Sequence, residues 1–408
     1  MEAACEAGDE KRLERGLHRI CSAETTLRRI RPLMGRFGIT RLADVTGLDR
    51  IGLPVMLAIR PNARSIAVSQ GKGLTRAQAA ASALMEAIEI WHAEHFDGPV
   101  FFASHADLAR RHDFVDLARL PAQRGGGFDS HERLHWVQAS DLLGTGPKLV
   151  PREMVHADYT HPLPPGAGHF PASTNGLASG NHRLEAICHG ICEVIERDAL
   201  ALWHRQDLSA RRATRLDPDS LEGAELPGLI ARFARAGLET ALWDVTSDIG
   251  IASFLCVIRE PGGEGHLGLG SGSHPDRAIA LRRACTEAAQ TRLNYISGAR
   301  EDLSLAEYGS AGRAEKAQSF AALFDAPPGR RRFVAVPSRR NRHLQEDLDH
   351  LLRLLQRAGI AEVALVDLAR SEHDIPVVRV IIPGLEAPHD DAGYVPGARA
   401  RHIDRGRA

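Results

Sequence analysis

Three long stretches of helix-forming sequence place carboxylates where a buried helix ordinarily places core, and this constrains the chain more than any other feature. On the first, at about 100° per residue, Ser82, Glu86 and Glu89 fall within a sector about 60° wide. On the second, Glu185, His189, Glu193 and Glu196 fall within about 80°, flanked by Ile187, Ile191, Val194, Ile195 and Leu200. The third carries Glu287 and Gln290 one turn apart among Ala280, Ala284, Ala288 and Leu293. A helix apolar over so much of its circumference is normally buried. A carboxylate inside it needs a partner, because an unpaired buried charge costs many kcal/mol. The plainer reading of any one stripe is a solvated face, but the first two stripes hold few of the interleaved lysines that accompany exposed glutamates. Two Glu-x-x-Glu pairs and Glu287 make up the set, and hard cations, Mg2+ above all, are its natural counter-charge. A di-iron site wants Glu-x-x-His, which neither pair has. A carboxylate-bridged metallohydrolase remains an alternative.

Strand and helix signals elsewhere alternate without a regular βαβ period, which predicts a mixed α/β fold in one large domain. Residues 1–15 are polar and expected to form a flexible N-terminal segment, with a single domain over 16–408 and its core over about 60–400. Helices are expected over about 19–37, 75–96, 182–203, 277–295 and 344–358. Strands are expected near 55–59, 65–68, 134–138, 240–245, 251–258, 362–367 and 377–382, and no internal repeat stands out. The 97–170 and 300–340 regions, rich in loop residues, are plausible substrate or partner surfaces.

A formal net charge of −1 gathers neither nucleic acid nor anionic membrane. The basic clusters at Arg330-Arg331-Arg332 and Arg339-Arg340-Asn341-Arg342 read as solvated loop. The N-terminus is not a signal peptide and no run is long enough to span a membrane, so a cytoplasmic protein is expected. The six cysteines form no Cys-x-x-Cys pair, and Cys188 and Cys192 read as buried small hydrophobes. The histidines between 92 and 170 lack a convincing i,i+4 pair for zinc. For phosphate handling the Gly71-Lys72-Gly73 turn, the Gly176 and Gly180 loop and Arg197 are the candidates, and no P-loop occurs.

These residues match a known family. Ser69-Gln70-Gly71-Lys72-Gly73 with Ala81-Ser82-Ala83-Leu84-Met85-Glu86-Ala87-Ile88-Glu89 resembles the first signature of the YcaO family. Thr174-Asn175-Gly176-Leu177-Ala178-Ser179-Gly180 with Glu185 and Glu193-Val194-Ile195-Glu196-Arg197 resembles the second. Thr286-Glu287-Ala288-Ala289-Gln290 resembles the third, and Pro383-Gly384-Leu385-Glu386 a late landmark. The resemblance implies a YcaO-like fold in which long helices packed on mixed sheets form an ATP and Mg2+ site. By motif Glu86, Glu89, Glu193, Glu196 and Glu287 would hold Mg2+, with Glu193, Glu196, Arg197 and Glu287 central to catalysis. Arg197 would contact phosphate, Asn181 and Glu185 would face the nucleoside, and Gln290 would complete the site. Lys72 and Ser82 come with the first motif, while Arg19 and Thr26 lie where the family places an early basic residue and a hydroxyl near the nucleotide.

One departure stands out. Many members read Glu-x-x-Glu-Arg in the first motif, whereas here Ile90 follows Glu89; His92 is one candidate replacement. The run Ile90-Trp91-His92-Ala93-Glu94 and the segment Gly38 to Gly52 resemble the branch that works beside TfuA proteins. The resemblance implies ATP-dependent phosphorylation of a peptide backbone amide followed by nucleophilic addition. The TfuA-branch segments, and a C-terminus without a Pro-x-Pro-x-Pro tail, favour sulfur insertion to a thioamide. Expected partners are a peptide or protein substrate, a TfuA-like protein and a sulfide source, with a homodimer as the family-like assembly. An azoline-forming cyclodehydratase and a non-catalytic nucleotide-binding scaffold are the alternatives.

Overall fold

The computed structural model describes residues 8–14, 17–144, 146–262, 265–301, 303, 305–324, 329–391 and 393–405. Strands β1 (Arg12–Glu14) and β2 (Leu17–Arg19) form a hairpin, and α1 (Ala23–Ile30), capped by Ser22, runs on as a 3-10 helix to Phe37. The single helix expected over 19–37 is thus broken: Arg19 is in a strand, and Pro32 has no N–H to continue the α ladder. Part of the segment expected to be flexible is held. Lys11 is buried and its ammonium lies 2.5 Å from Asp347, while residues 1–7 and 15 fall outside the described residues.

β3 (Arg41–Asp44), β4 (Val55–Ile59) and β5 (Val68–Lys72) make an antiparallel sheet covered by α2 (Arg76–Glu94). The chain then passes through β6 (Val100–Ser104), the short α3 (His105–Leu108), β7 (Asp113–Phe114), β8 (Arg133–Asp141) and β9 (Pro147–Pro151). It reaches β10 (Leu177–Ser179) and the long α4 (Arg183–Arg205). After α5 (Leu208–Ala213) and α6 (Glu225–Arg235), a second antiparallel sheet of β11 (Glu239–Asp244), β12 (Ser253–Arg259) and β13 (Gly268–Ser273) packs under α7 (Arg277–Ser297). The remaining elements are α8 (Leu305–Tyr308), α9 (Ser310–Phe324), α10 (Leu344–Arg357), β14 (Ala364–Asp367), β15 (Val377–Ile381) and α11 (Ala398–Arg405). A mixed sheet runs β10-β15-β14-β8-β9-β7, with β6 also paired to β8 and with β7 and β9 parallel. The expected mixed α/β class is what forms.

The sequence conceals a repeat that the fold displays. β5–α2, β10–α4 and β13–α7 follow one plan. Each helix begins at a side-chain cap (Thr75, His182, Asp276) that accepts a backbone N–H of the first turn and is followed by an arginine (Arg76, Arg183, Arg277). Eleven residues past each cap stands a glutamate: Glu86, Glu193, Glu287. Fourteen past it stand Glu89, Glu196 and Gln290. β5 and β13 turn glycines toward their own helices, and Gly180, just past β10, lies against the start of α4. A Cβ on Gly71 would overlap Ala79 and Ala83, and one on Gly272 would overlap the backbone of Ala280 and Ala284. Fully buried alanines answer on the helix side, so each helix lies close enough to its sheet to bring polar residues of the next unit within hydrogen-bond reach.

Gly272→Ala should therefore destabilise the protein by about 1–3 kcal/mol through overpacking against backbone that cannot yield. Thermal unfolding should show a loss of several degrees, whereas an equal change at the open turn of Gly47, where nothing lies within 4 Å, should leave the midpoint in place.

Candidate functional site

The three helices enclose a cavity of about 610 Å³. Equivalent positions line it on each helix, three, six, seven, ten, eleven, fourteen and fifteen residues past the caps. Successive rings are therefore Gln78, Glu185 and Ile279; Ser82, His189 and Arg283; Glu86, Glu193 and Glu287; Glu89, Glu196 and Gln290; and Ile90, Arg197 and Thr291. All the expected metal ligands meet in the third and fourth of these rings.

The fourteenth position of each helix bonds to the strand of another unit. Glu89 accepts from Ser179 of β10, N–H at 2.8 Å and hydroxyl at 2.6 Å. Glu196 accepts from Ser273 N–H at 2.9 Å and Ser271 hydroxyl at 2.5 Å on β13. Gln290 donates to Gln70 Oε1 on β5 at 3.1 Å, which closes the ring. The eleventh position reaches back to its own strand in two units, Glu86 to Gln70 N–H at 3.3 Å and Glu287 to Ser271 N–H at 3.4 Å. Lys72 completes the ring with its ammonium 2.5 Å from Glu287.

Charge in this ring is unevenly compensated. Burial pushes Glu86 up to about 7 against the pull of Lys72, and Glu89 up to about 8 although Ser179 donates to it. Burial also raises Glu193, opposed by Arg197. Glu287 is the exception: burial would raise it, but Lys72 and Arg197 overcome that and hold it below the ordinary value. Arg197 loses hydration yet is held firmly charged by Glu196, Glu193 and Glu287. These carboxylates lie deep in the protein with one side open to the cavity. Among the described residues no three acidic, histidine or cysteine groups converge into a ready cage for a cation. That suits Mg2+, which usually takes one or two carboxylates and draws its remaining ligands from phosphate and water.

At one end of the cavity the four residues expected near the nucleoside come together. Thr26 donates to Asn181 Oδ1 at 3.0 Å, and Glu185 accepts from the N–H groups of Asn181 at 2.8 Å and Ile20 at 2.7 Å. Arg19 lies 3.6 Å from Glu185. Glu185 thus ties the N-terminal strand to α4 and has less freedom than a purely ligand-facing carboxylate. Lys72, Ser82, Gln290 and Arg197 also line the cavity.

One sequence expectation needs correction. His92 is buried, with Nδ1 2.8 Å from Ile88 O, and packs on Phe37, Trp91 and His373; it does not line the cavity and replaces no arginine. Glu94 nearby is likewise structural, accepting from Arg60 and from Ser65 Oγ at 2.7 Å. Cys188 and Cys192 pack with the apolar core as expected and also touch the cavity wall, where burial pushes the Cys192 thiol up to about 12.

Sequence reading missed Arg283, whose guanidinium lies 3.2 Å from His189 Nδ1 at the seventh positions, and Arg282, His274, Asn294 and Arg300, which also line the cavity. The repeat would have found Arg283 by register alone. The late Glu386 proves to be an anchor. It accepts from Tyr394 hydroxyl at 2.9 Å and the N–H groups of Gly397 and Ala400, while its own N–H binds Asp198, beside Arg197. Arg399 closes this latch on Asp198 at 2.9 Å.

A cavity of this size, with oxygen donors set against guanidinium and ammonium groups, is that of a protein binding a magnesium nucleotide. The sequence model of a family described as YcaO cyclodehydratase, ATP- and Mg2+-binding, matches residues 70–386. The chain belongs to the YcaO family and carries its ATP- and Mg2+-binding domain. A protein of Rhizobium leguminosarum bv. trifolii described by its place in the tfuA 3′ region is 35% identical over 415 residues, 98% of this chain and 97% of its own. A protein of Methanothermobacter thermautotrophicus is 39% identical over 374 residues, 88% and 93% of the two chains. Among solved structures, YcaO from Methanopyrus kandleri bound with AMPPCP and Mg2+ is 25% identical, with a TM-score of 0.76 over 95% of this chain and 98% of that one. A heterocyclase in complex with substrate and cofactor is also 25% identical, with a TM-score of 0.78 over 96% of this chain but only 55% of its own. Among the described residues no helix is long and apolar enough to cross a membrane.

The pH response of the ring follows from Glu86 and Glu89. From the ordinary value of 4.5 up to about 8 the folded protein keeps protons that the unfolded chain has released, so these groups favour folding at low pH and lose that advantage as pH rises through about 7 to 8. Mg2+ held by Glu86 and Glu89, as the family resemblance implies, would have to displace the same protons. The gain in melting temperature from saturating Mg2+ and AMPPCP should therefore be larger at about pH 8.5 than at about pH 6. Equal gains, measured by differential scanning fluorimetry, would show that these two carboxylates do not meet the metal.

Proposed function

We propose that this protein uses ATP to activate a peptide backbone amide for sulfur insertion, giving a thioamide in a ribosomally made peptide or a protein, with a TfuA-like partner managing sulfide. The observation that carries this reading is the near full-length likeness to a protein of the tfuA 3′ region, on a chain whose family binds ATP and Mg2+. ATP supplies the phosphoryl group that makes the amide oxygen a leaving group, and hydrosulfide takes its place as ADP and phosphate are released.

In this reading Glu86, Glu89, Glu193, Glu196 and Glu287 hold Mg2+, and Arg197 steadies the transferring phosphate. Arg19, Thr26, Asn181 and Glu185 face the nucleoside, with Lys72, Ser82 and Gln290 completing the nucleotide site. The chain contributes position and charge rather than covalent chemistry, as phosphoryl transfer requires. Lys72 and Arg197 approach the ring from different units, so phosphate would meet a cation on two sides without an arginine at position 90.

The likeness to a heterocyclase supports a second reading, in which a Cys, Ser or Thr of the peptide is the nucleophile and water is lost. Mass spectrometry separates the two. Enzyme, TfuA-like partner, ATP, sulfide and peptide should yield a product heavier by the difference between sulfur and oxygen; loss of one water would select the cyclodehydratase. Beneath both lies the nucleotide site. Calorimetric titration with AMPPCP and Mg2+ should show binding to wild type and none to Glu193→Ala/Glu196→Ala, with circular dichroism unchanged. Binding that survives in the double variant would remove those glutamates from the site.

A further inference from the structure

The three junctions of the ring are not alike. Two are made by a glutamate on a serine, Glu89 on Ser179 and Glu196 on Ser273. The third, between α7 and β5, is made of carboxamides. Gln290 Nε2 is spent on Gln70 Oε1 at 3.1 Å, which leaves Gln290 Oε1 without a partner among the described residues. One turn further along α7, Asn294 is 8% exposed, lines the cavity, and its Oδ1 also has no partner among the described residues. The equivalent positions on α2 and α4 are Ala93 and Leu200, buried and apolar, so the cavity continues past the carboxylate ring at this junction.

Two unpartnered acceptors four residues apart on a helix are separated by about 6 Å along its axis. Alternate residues of an extended chain present N–H groups on the same edge about 6.6 Å apart. An unmet acceptor in a buried wall costs free energy until a donor arrives. Ile66, Met85 and Ile90 give the same cavity apolar lining, Arg300 lines it too, and the neighbouring Glu301 accepts from the N–H of Ala67.

We propose that the α7–β5 junction is the entry seam for the peptide. The peptide lies extended along α7, gives the N–H groups of alternate residues to Gln290 Oε1 and Asn294 Oδ1, and sets an apolar side chain against Ile66 and Ile90. The inference rests on the peptide-activating reading above and names the substrate's mode of binding at that site. It also gives position 90 a role: isoleucine supplies the apolar wall, where an arginine would fill the seam with a charged side chain.

The probe is Ac-Gly-Val-Gly-Leu-Gly-Val-NH2, with a counterpart N-methylated at Leu, presented to the full chain with the TfuA-like partner, ATP, Mg2+ and sulfide. The readouts are peptide-dependent ATP consumption and, separately, AMPPCP affinity. Asn294→Leu and Ile66→Asn should each raise the half-saturating peptide concentration about tenfold or more, with AMPPCP affinity within about twofold of wild type. N-methylation should cost wild type a similar factor and cost Asn294→Leu much less, because the bond it removes is already gone. Unchanged peptide dependence in both variants, with AMPPCP still bound, would overturn the seam while leaving the activity standing. AMPPCP binding with no peptide response in wild type would overturn the peptide reading and the seam with it.

Discussion

Glu89, Glu196 and Gln290 do more than line a cavity. Each reaches out of its own βα unit to the strand of another, and together they turn three separate helix-on-sheet layers into a closed ring. The close glycine–alanine packing within each unit sets the helices where such bonds can form, and the cavity is the space the ring encloses. A wider helix–sheet spacing would leave the serine donors and the carboxylates out of reach of one another, and buried glutamates without donors are not tolerated.

The ring is electrostatically unfinished by design of its parts. Lys72 settles Glu287, and Arg197 is shared among Glu193, Glu196 and Glu287, while Glu86 and Glu89 lean toward the protonated state. The protein therefore presents a graded field, with its least compensated carboxylates on α2. In the proposed reading a metal ion would meet that side and phosphate the side of Lys72 and Arg197, both placed before reaction as preorganised sites require.

Much of this was legible in sequence. The carboxylate stripes on α2, α4 and α7 followed from helical period and apolar flanks, because a buried helix leaves glutamates few other destinations. Strand ends were less so: β5 begins at Val68, where sequence placed it at Ser65, since Ser65 serves Glu94 and only tertiary structure reveals that. The repeat was invisible because what recurs is register, not residues. Thr75, His182 and Asp276 are unlike as letters and alike as caps, and the intervening positions change freely. The latch of Glu386, Asp198 and Arg399 joins Asp198 to residues distant in sequence through a backbone N–H and an ion pair, and no local pattern announces it.

The pairing of β10 with β15 has a consequence for how the chain comes into being. β10 supplies Ser179 to the ring, but the strand that holds β10 in place is residues 377–381, close to the end of the sequence. A chain emerging N-terminus first makes α2 and its two least compensated glutamates early, and cannot secure their partner strand until residues 377–381 have followed, about 200 residues after β10. Contacts of such sequence separation form late and slowly. The ring is therefore complete only once β15 is in place, and a protein stalled short of β15 would carry nearly all of the site's residues with the Glu89–Ser179 junction unsecured.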